Sequence, residues 1–253
     1  MGGFGSGKTE IAINYSIYCR KKYHQVAIVD LDMVNPYFRT REAKDALSLK
    51  DIKVIAPEGK LFYAELPLIS PEIKGLIQDA DYHLILDVGG DDVGTVILGN
   101  FRHFIKDLDY EMLLVVNSYR PFTQSIPQIK QMAQEIENTS RLKISGVISN
   151  PNLSTQTDEE IIKQGHILIK RAAQKLKLPL KFICIDERFS QKLKTENFKE
   201  PVFYIKRFIN ICPCLIISSS VWVLKLGLLI TPLIFSRDVF SISWAICLIW
   251  GIL

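Results

Sequence analysis

Eight residues at the start of the chain constrain it most. Gly2-Gly3-Phe4-Gly5-Ser6-Gly7-Lys8-Thr9 satisfies every specified position of the pattern G-x-x-x-x-G-K-[ST]. Its four glycines let the backbone turn N–H groups inward around phosphate oxygens without Cβ clashes. In such a loop Lys8 reaches the β- and γ-phosphates and the Thr9 hydroxyl binds Mg²⁺. The apolar-periodic run that follows (Ile11, Ala12, Ile13, Tyr15, Ile17, Tyr18) reads as a helix whose N-terminus points at the phosphates. Gly2, Gly3, Gly5, Ser6, Gly7, Lys8, Thr9 and Glu10 are therefore the candidate phosphate-binding set. A glycine-rich turn before an ordinary helix is the competing reading, and the coincidence of motif and helix weighs against it.

A phosphate loop normally leaves the end of a buried parallel strand, and none precedes Gly2 in this sequence. The expectation is a misplaced or lost start, with the first strand missing and the loop short of its central support.

Further along, Val26-Ala27-Ile28-Val29 is a short apolar run closed by Asp30-Leu31-Asp32. Such a run suits a strand buried on both faces of a parallel sheet. Carboxylates at its C-terminal end face the ligand crevice of an open α/β sheet. There Asp30 and Asp32 either hold Mg²⁺ through water, position an attacking water, or form a solvated acidic turn. Asn35-Pro36 then breaks the chain, and Arg39 and Arg41 read as surface charges around a short helix. Ile52–Ile55 is the next strand, and Ser70-Pro71-Glu72 opens a helix with a capping serine and a proline at its first position.

Tyr82-His83-Leu84-Ile85-Leu86-Asp87 is an apolar strand ending in aspartate, the arrangement that holds Mg²⁺ from the side opposite the loop. Gly89 and Gly90 follow, and Gly90 lets a backbone N–H approach a γ-phosphate. Asp91 and Asp92 suit the start of a helix. Residues 111–117 form another buried strand, after which Arg120 is a candidate phosphate or switch contact. A helix over 128–136 and a strand over 142–149 lead to Asn150-Pro151-Asn152. The Asn150 amide offers the donor and acceptor that a purine edge requires, or else is a turn residue before proline. A helix from Asp158 to Leu176 and a short strand over 182–185 complete the alternation. His166 falls among polar residues of that helix and reads as a surface side chain. His24, His83 and His103 show no metal-ligand spacing either. The fold class is thus α/β, a mostly parallel sheet flanked by helices around a phosphate loop.

Composition divides the chain in two. From Phe208 to Leu253 the only charged side chains are Lys225, Arg237 and Asp238, and all three tryptophans lie there. A nucleotide-binding domain over 1–207 is therefore expected, followed by an apolar tail over 208–253. Residues 211–235 are long enough to cross a bilayer core, with Lys206 and Arg207 before them to keep the domain cytoplasmic. Lys225 at mid-span opposes this by about 2.5–3.5 kcal/mol on insertion scales. A tail read past the natural end in another frame would show the same abrupt enrichment in Trp, Cys, Ile and Ser. The net charge of +4 is spread along the chain and makes no case for nucleic acid. Five cysteines in no regular framework fit a reducing, cytoplasmic compartment.

With these residues in view, the chain resembles the MinD/ParA-like branch of phosphate-loop NTPases. The resemblance rests on Gly2–Thr9, Val29-Asp30-Leu31-Asp32, Leu86-Asp87-Val88-Gly89-Gly90 and Ile148-Ser149-Asn150. The segment from Val29 to Arg39 is similar to the "VDLD-VNPYFR" stretch of small bacterial ATP-binding proteins in that superfamily. The resemblance implies Mg-ATP in the loop, Asp30 or Asp32 near the attacking water, and Asn150 on the adenine. Many members carry a second lysine early in the loop that reaches across a dimer. Gly3 and Phe4 stand at those positions here, so dimerisation does not carry over. No guanine-reading Asn-Lys-x-Asp occurs, which favours ATP over GTP.

Three functions follow as expectations. The first is a Mg-ATPase that acts as a switch on an unidentified protein partner. The second is a biosynthetic enzyme of the amidoligase or dethiobiotin-synthetase type, which would need a second substrate pocket. The third is a nucleotide-binding remnant that does not hydrolyse.

Overall fold

The computed structural model describes residues 1–31, 40–55, 71–90, 92–193 and 198–208. By internal contacts the chain divides into Met1–Ile209 and Asn210–Leu253. The apolar tail beyond Phe208 lies outside the described residues, as do Asp32, Arg39, Asp91 and the side chain of Arg41. No helix among the described residues is long and apolar enough to cross a membrane.

The first unit is α/β, with parallel strands flanked by helices. In chain order the elements are α1 (Lys8–Cys19), β1 (Gln25–Asp30), α2 (Thr40–Ser48), β2 (Ile52–Ile55), α3 (Pro71–Gln78), β3 (Tyr82–Asp87), α4 (Asp92–Asn100), α5 (Arg102–Ile105), β4 (Leu113–Val116), α6 (Ile126–Ser140), β5 (Gly146–Ser149), α7 (Glu159–Leu176), β6 (Leu180–Asp186) and β7 (Val202–Ile205). The strands form a three-stranded sheet in the order β2-β1-β3 and a four-stranded sheet in the order β4-β5-β6-β7. Every strand pairing among the described residues is parallel.

The β1 run shows why an unbroken apolar strand forms here. Side chains alternate between the faces of a strand, so both faces need cover. Val26 and Ile28 pack with Ile13 of α1 and with Ala43 and Leu47 of α2. Ala27 and Val29 pack on the other face with Ile73, Leu76 and Ile97 from α3 and α4. Helix α1 is buried along two flanks for the same reason. Its Ile11 packs on Val115, Ile148 and Cys184 of β4, β5 and β6, while Ala12 and Ile13 face β1. A helix this enclosed holds the loop at its N-terminus in a fixed place.

Element edges follow local hydrogen bonding. The apolar pattern predicts a strand over 142–149, yet β5 begins at Gly146. At Ser145 the side-chain hydroxyl accepts from Met112 N at 2.8 Å, and Ser145 N donates to the Met112 carbonyl at 2.9 Å. That exchange enters the place of a backbone ladder and delays the strand. Helix α7 starts where predicted because Asp158 caps it, its carboxylate accepting from Ile161 N at 2.8 Å. Strand β7 has no counterpart among the strands expected from sequence, since four residues after a proline carry little pattern.

Candidate functional site

The glycine-rich loop lies at the C-terminal edges of the strands, where ligands bind open α/β sheets. Its turn closes through Ser6 N donating to the Gly3 carbonyl at 3.1 Å, and Ile11 N donates to Gly7 O at 3.0 Å to start α1. Gly7 is in the left-handed region at φ 90°, ψ 17°, and gives the helix no side-chain cap. A Cβ there would collide with Asn150 Nδ2, so two independent constraints require glycine. Lys8 is buried at 6% exposure and folds its ammonium back to the Gly3 carbonyl at 3.4 Å. The Ser6 and Thr9 hydroxyls are buried and have no hydrogen-bond partner among the described residues. A buried hydroxyl without a partner is costly unless a ligand or ion supplies one.

Two carboxylates meet beside the loop. Asp30 and Asp87 end β1 and β3, are register partners, and are each 3% exposed. Adjacent strands lie about 4.8 Å apart, so these acids end on one edge at close range. Buried carboxylates call for positive charge nearby. The buried Lys8 and Asp87 line the same cavity. The donor set of Thr9 hydroxyl and aspartate carboxylates is all hard oxygen and fits Mg²⁺, which completes its shell with phosphate and water. Among the described residues no cluster of three His, Cys, Asp or Glu could hold a metal by itself. Gly90, just past β3, sits against the backbone of Gly2 so closely that any Cβ would strike the Gly2 carbonyl.

The rim opposite is built from amides and arginines. Asn150, 4% exposed at the end of β5, donates from Nδ2 to the Ser6 carbonyl at 2.7 Å. It fastens the loop directly. Arg120 donates from Nε to the Gly5 carbonyl at 3.0 Å, placing its guanidinium on the loop. The Glu10 carboxylate accepts from Phe208 N at 3.0 and 3.1 Å. Among the described residues Arg120 and Asn150 thus bond the backbone of the Gly2–Thr9 loop, Gly90 packs on Gly2, and Asp30 lies beside Asp87 at the strand ends.

Sequence reasoning missed Asn117. It donates to the Asn152 carbonyl at 2.8 Å and accepts from Tyr119 N and Asn152 N, tying the exits of β4 and β5 together. A second asparagine directly after a buried strand was the available signal. The Asp186–Arg207 pair was also missed; Nε to Oδ2 is 2.7 Å, and Arg207 and Arg188 both donate to the Ser154 carbonyl. One sequence expectation is corrected. His166 is not on the surface but buried at 5% exposure, with Nδ1 3.0 Å from Ser149 Oγ and Nε2 3.1 Å from Glu200. The polar neighbours that suggested a surface belong to the other face of α7.

No family model matches the chain, and no curated protein does. Solved structures to which it is similar include a nucleotide-binding protein in complex with ADP from Archaeoglobus fulgidus. The identity is 16%, over 76% of this chain and 82% of that one, with a TM-score of 0.41. The signal recognition particle receptor FtsY from Elizabethkingia anophelis is 17% identical over 72% of this chain, with a TM-score of 0.44. Cell division protein FtsY from Thermotoga maritima is 17% identical over 74%, with a TM-score of 0.45. The chain spans 56% and 60% of the length of these two FtsY chains.

Proposed function

We propose that the chain binds Mg-ATP in the Gly2–Thr9 loop and works as a slow ATPase of the MinD/ParA-like kind, a nucleotide-dependent switch on a protein partner in the cytoplasm. The observation that carries this reading is the buried Thr9 hydroxyl at the start of α1, which has no hydrogen-bond partner among the described residues. Phosphate oxygens would take the loop N–H groups and the Lys8 ammonium, which leaves its 3.4 Å contact with Gly3 O to do so. Thr9 and Asp87 would hold Mg²⁺, which supplies charge neutralisation on the β- and γ-phosphate oxygens. Asp32, beyond the described residues, or Asp30, which ends β1 beside Asp87, would orient a water toward the γ-phosphate. Arg120 is the cation nearest to a switch role, because its loop contact can be exchanged for phosphate. Asn150 would serve two ends, holding Ser6 and meeting the adenine edge.

A second reading, a nucleotide-binding remnant, draws weight from the lack of pairing between β3 and β4 among the described residues. Turnover separates the two. Mg-dependent ATP hydrolysis by the full chain that Lys8→Ala abolishes, and that a partner protein rather than a metabolite stimulates, is the outcome the switch requires. ATP binding without turnover under any condition would leave the remnant. Metabolite-dependent ADP release would point to a biosynthetic enzyme instead.

A further inference from the structure

The two side chains that grip the glycine-rich loop stand at strand exits. Asn150, just after β5, holds the Ser6 carbonyl, and Arg120, after β4, holds the Gly5 carbonyl. Those exits rest in turn on the first half of α7. Tyr119 donates from its hydroxyl to the Ile161 carbonyl at 2.8 Å. Gly165 packs so closely on the exits that a Cβ there would stand 2.5 Å from both Pro151 Cβ and Ser118 Oγ. The next residue, His166, brings Nδ1 to 3.0 Å from the hydroxyl of Ser149, the residue before Asn150. Both side chains are buried, so each polar group depends on the other.

The far side of the ring fixes its tautomer. Glu200, ahead of β7, lies 3.1 Å from Nε2 and is paired with Lys170 at 2.6 Å. A carboxylate only accepts, so Nε2 carries the proton and Nδ1 accepts from the Ser149 hydroxyl. The charged groups facing the ring are Glu200 and Lys170, the latter one turn along α7. From β5 it meets the neutral Ser149 hydroxyl, and Phe198 meets it edge-on at a centroid distance of 5.3 Å. Burial holds the imidazole below its ordinary 6.5, in the neutral form that this hydrogen-bond order requires. A further proton would land on Nδ1 and turn it from acceptor to donor against the hydroxyl. Ser149 is held between β4 and β6, so the displacement would fall on α7 and its contacts with Pro151 and Tyr119.

We infer that His166 is a positioning residue for the glycine-rich loop: its neutral ring fastens α7 to β5, and α7 then sets Asn150 and Arg120 on the loop carbonyls. The consequence for ATP rests on the nucleotide-binding reading of the loop, whereas the hold on the loop is measured without nucleotide. Hydrogen exchange of the nucleotide-free full chain compares the parent with His166→Ala, Ser149→Ala and His166→Gln. In both alanine variants the Ser6 and Ile11 amides, which donate within the loop, should exchange at least about fivefold faster, with the amides of residues 26–29 in β1 unchanged. His166→Gln should match the parent, because its amide offers an acceptor to Ser149 and a donor to Glu200. Unchanged loop exchange in the alanine variants, equal acceleration in the loop and β1, or a glutamine that restores nothing overturns the inference. Ser149→Ala removes a single oxygen, so the comparison stands even where His166→Ala does not fold. Mg-ATP affinity at pH 7.5 and pH 5 reads the consequence. The parent should lose at least about threefold more affinity on acidification than His166→Gln, in which nothing titrates at this position. Protonation of ATP itself is common to both, and equal losses overturn the inference. If neither protein binds ATP, the nucleotide-binding reading fails while the exchange result still decides the role of His166.

Discussion

Replacing Gly7 by alanine strikes the loop at its tightest point. At φ 90° an L-residue costs roughly 1–2 kcal/mol relative to its ordinary backbone regions. The new methyl also collides with Asn150 Nδ2, whose 2.7 Å bond to Ser6 O must then break or bend. Asn150 is 4% exposed, so its amide cannot turn to solvent. Leaving that donor and the Ser6 carbonyl unmatched adds about 1–3 kcal/mol. The sum is about 2–5 kcal/mol, and at roughly 2–4 °C per kcal/mol the midpoint should fall by about 5–20 °C. The assay is thermal or urea unfolding of parent, Gly7→Ala, Asn150→Ala and the double variant. The double variant should be more stable than the two single losses add to, by about 1 kcal/mol, because removing the amide relieves the collision. Gly7→Ala within about 0.5 kcal/mol of the parent, or strictly additive losses, would refute the close packing of Asn150 on the loop.

Two further outcomes are expected. Asp87→Asn should depress Mg²⁺-dependent hydrolysis more than ATP affinity, because in the proposed site the carboxylate would organise the metal and not the base; unchanged turnover at saturating Mg²⁺ would remove Asp87 from that role. Stability should decline in two stages as pH falls. Burial holds the His166 imidazole below its ordinary 6.5, a shift only partly offset by its Glu200 hydrogen bond. At Glu200 burial raises the carboxyl, but hydrogen bonds from Lys170 and His166 outweigh it and leave it below 4.5. Both groups bind fewer protons folded than unfolded, so their contributions are complete above 6.5 and are lost first through His166 and then through Glu200. His166→Gln should flatten the first stage; a pH profile identical to the parent's would show that another group titrates there.

The legible parts of this chain were those in which local pattern and tertiary role coincide. The glycine-rich loop, the buried β1 run and the β3 run ending at Asp87 all carry their place in the fold in their own residues. So does α7, whose start is written in Asp158. What stayed hidden depends on partners distant in sequence. Asn117 reads as an ordinary strand-end residue until Asn152 is brought beside it from 35 positions away. His166 has polar sequence neighbours, and only the approach of Ser149 and Glu200 encloses it. Glu10 belongs to the loop by position, yet the chain beyond β7 takes its carboxylate. Strand β7 is held by Asn14 of α1, which exchanges hydrogen bonds with the Lys206 backbone at 2.8 and 2.9 Å, a tether no local pattern announces.

The central claim, that Gly2–Thr9 is a working phosphate site, is tested most directly by calorimetric titration of Mg-ATP into the full chain and its Lys8→Ala variant. In the proposed site Lys8 would supply the charge opposite the phosphates, while the loop's glycines and its Asn150 and Arg120 contacts hold the backbone without it. One site per chain in the parent, weakened at least about tenfold in the variant with melting unchanged in the absence of nucleotide, is the predicted result. Equal affinity in the two proteins, or no binding by a folded parent, would contradict it.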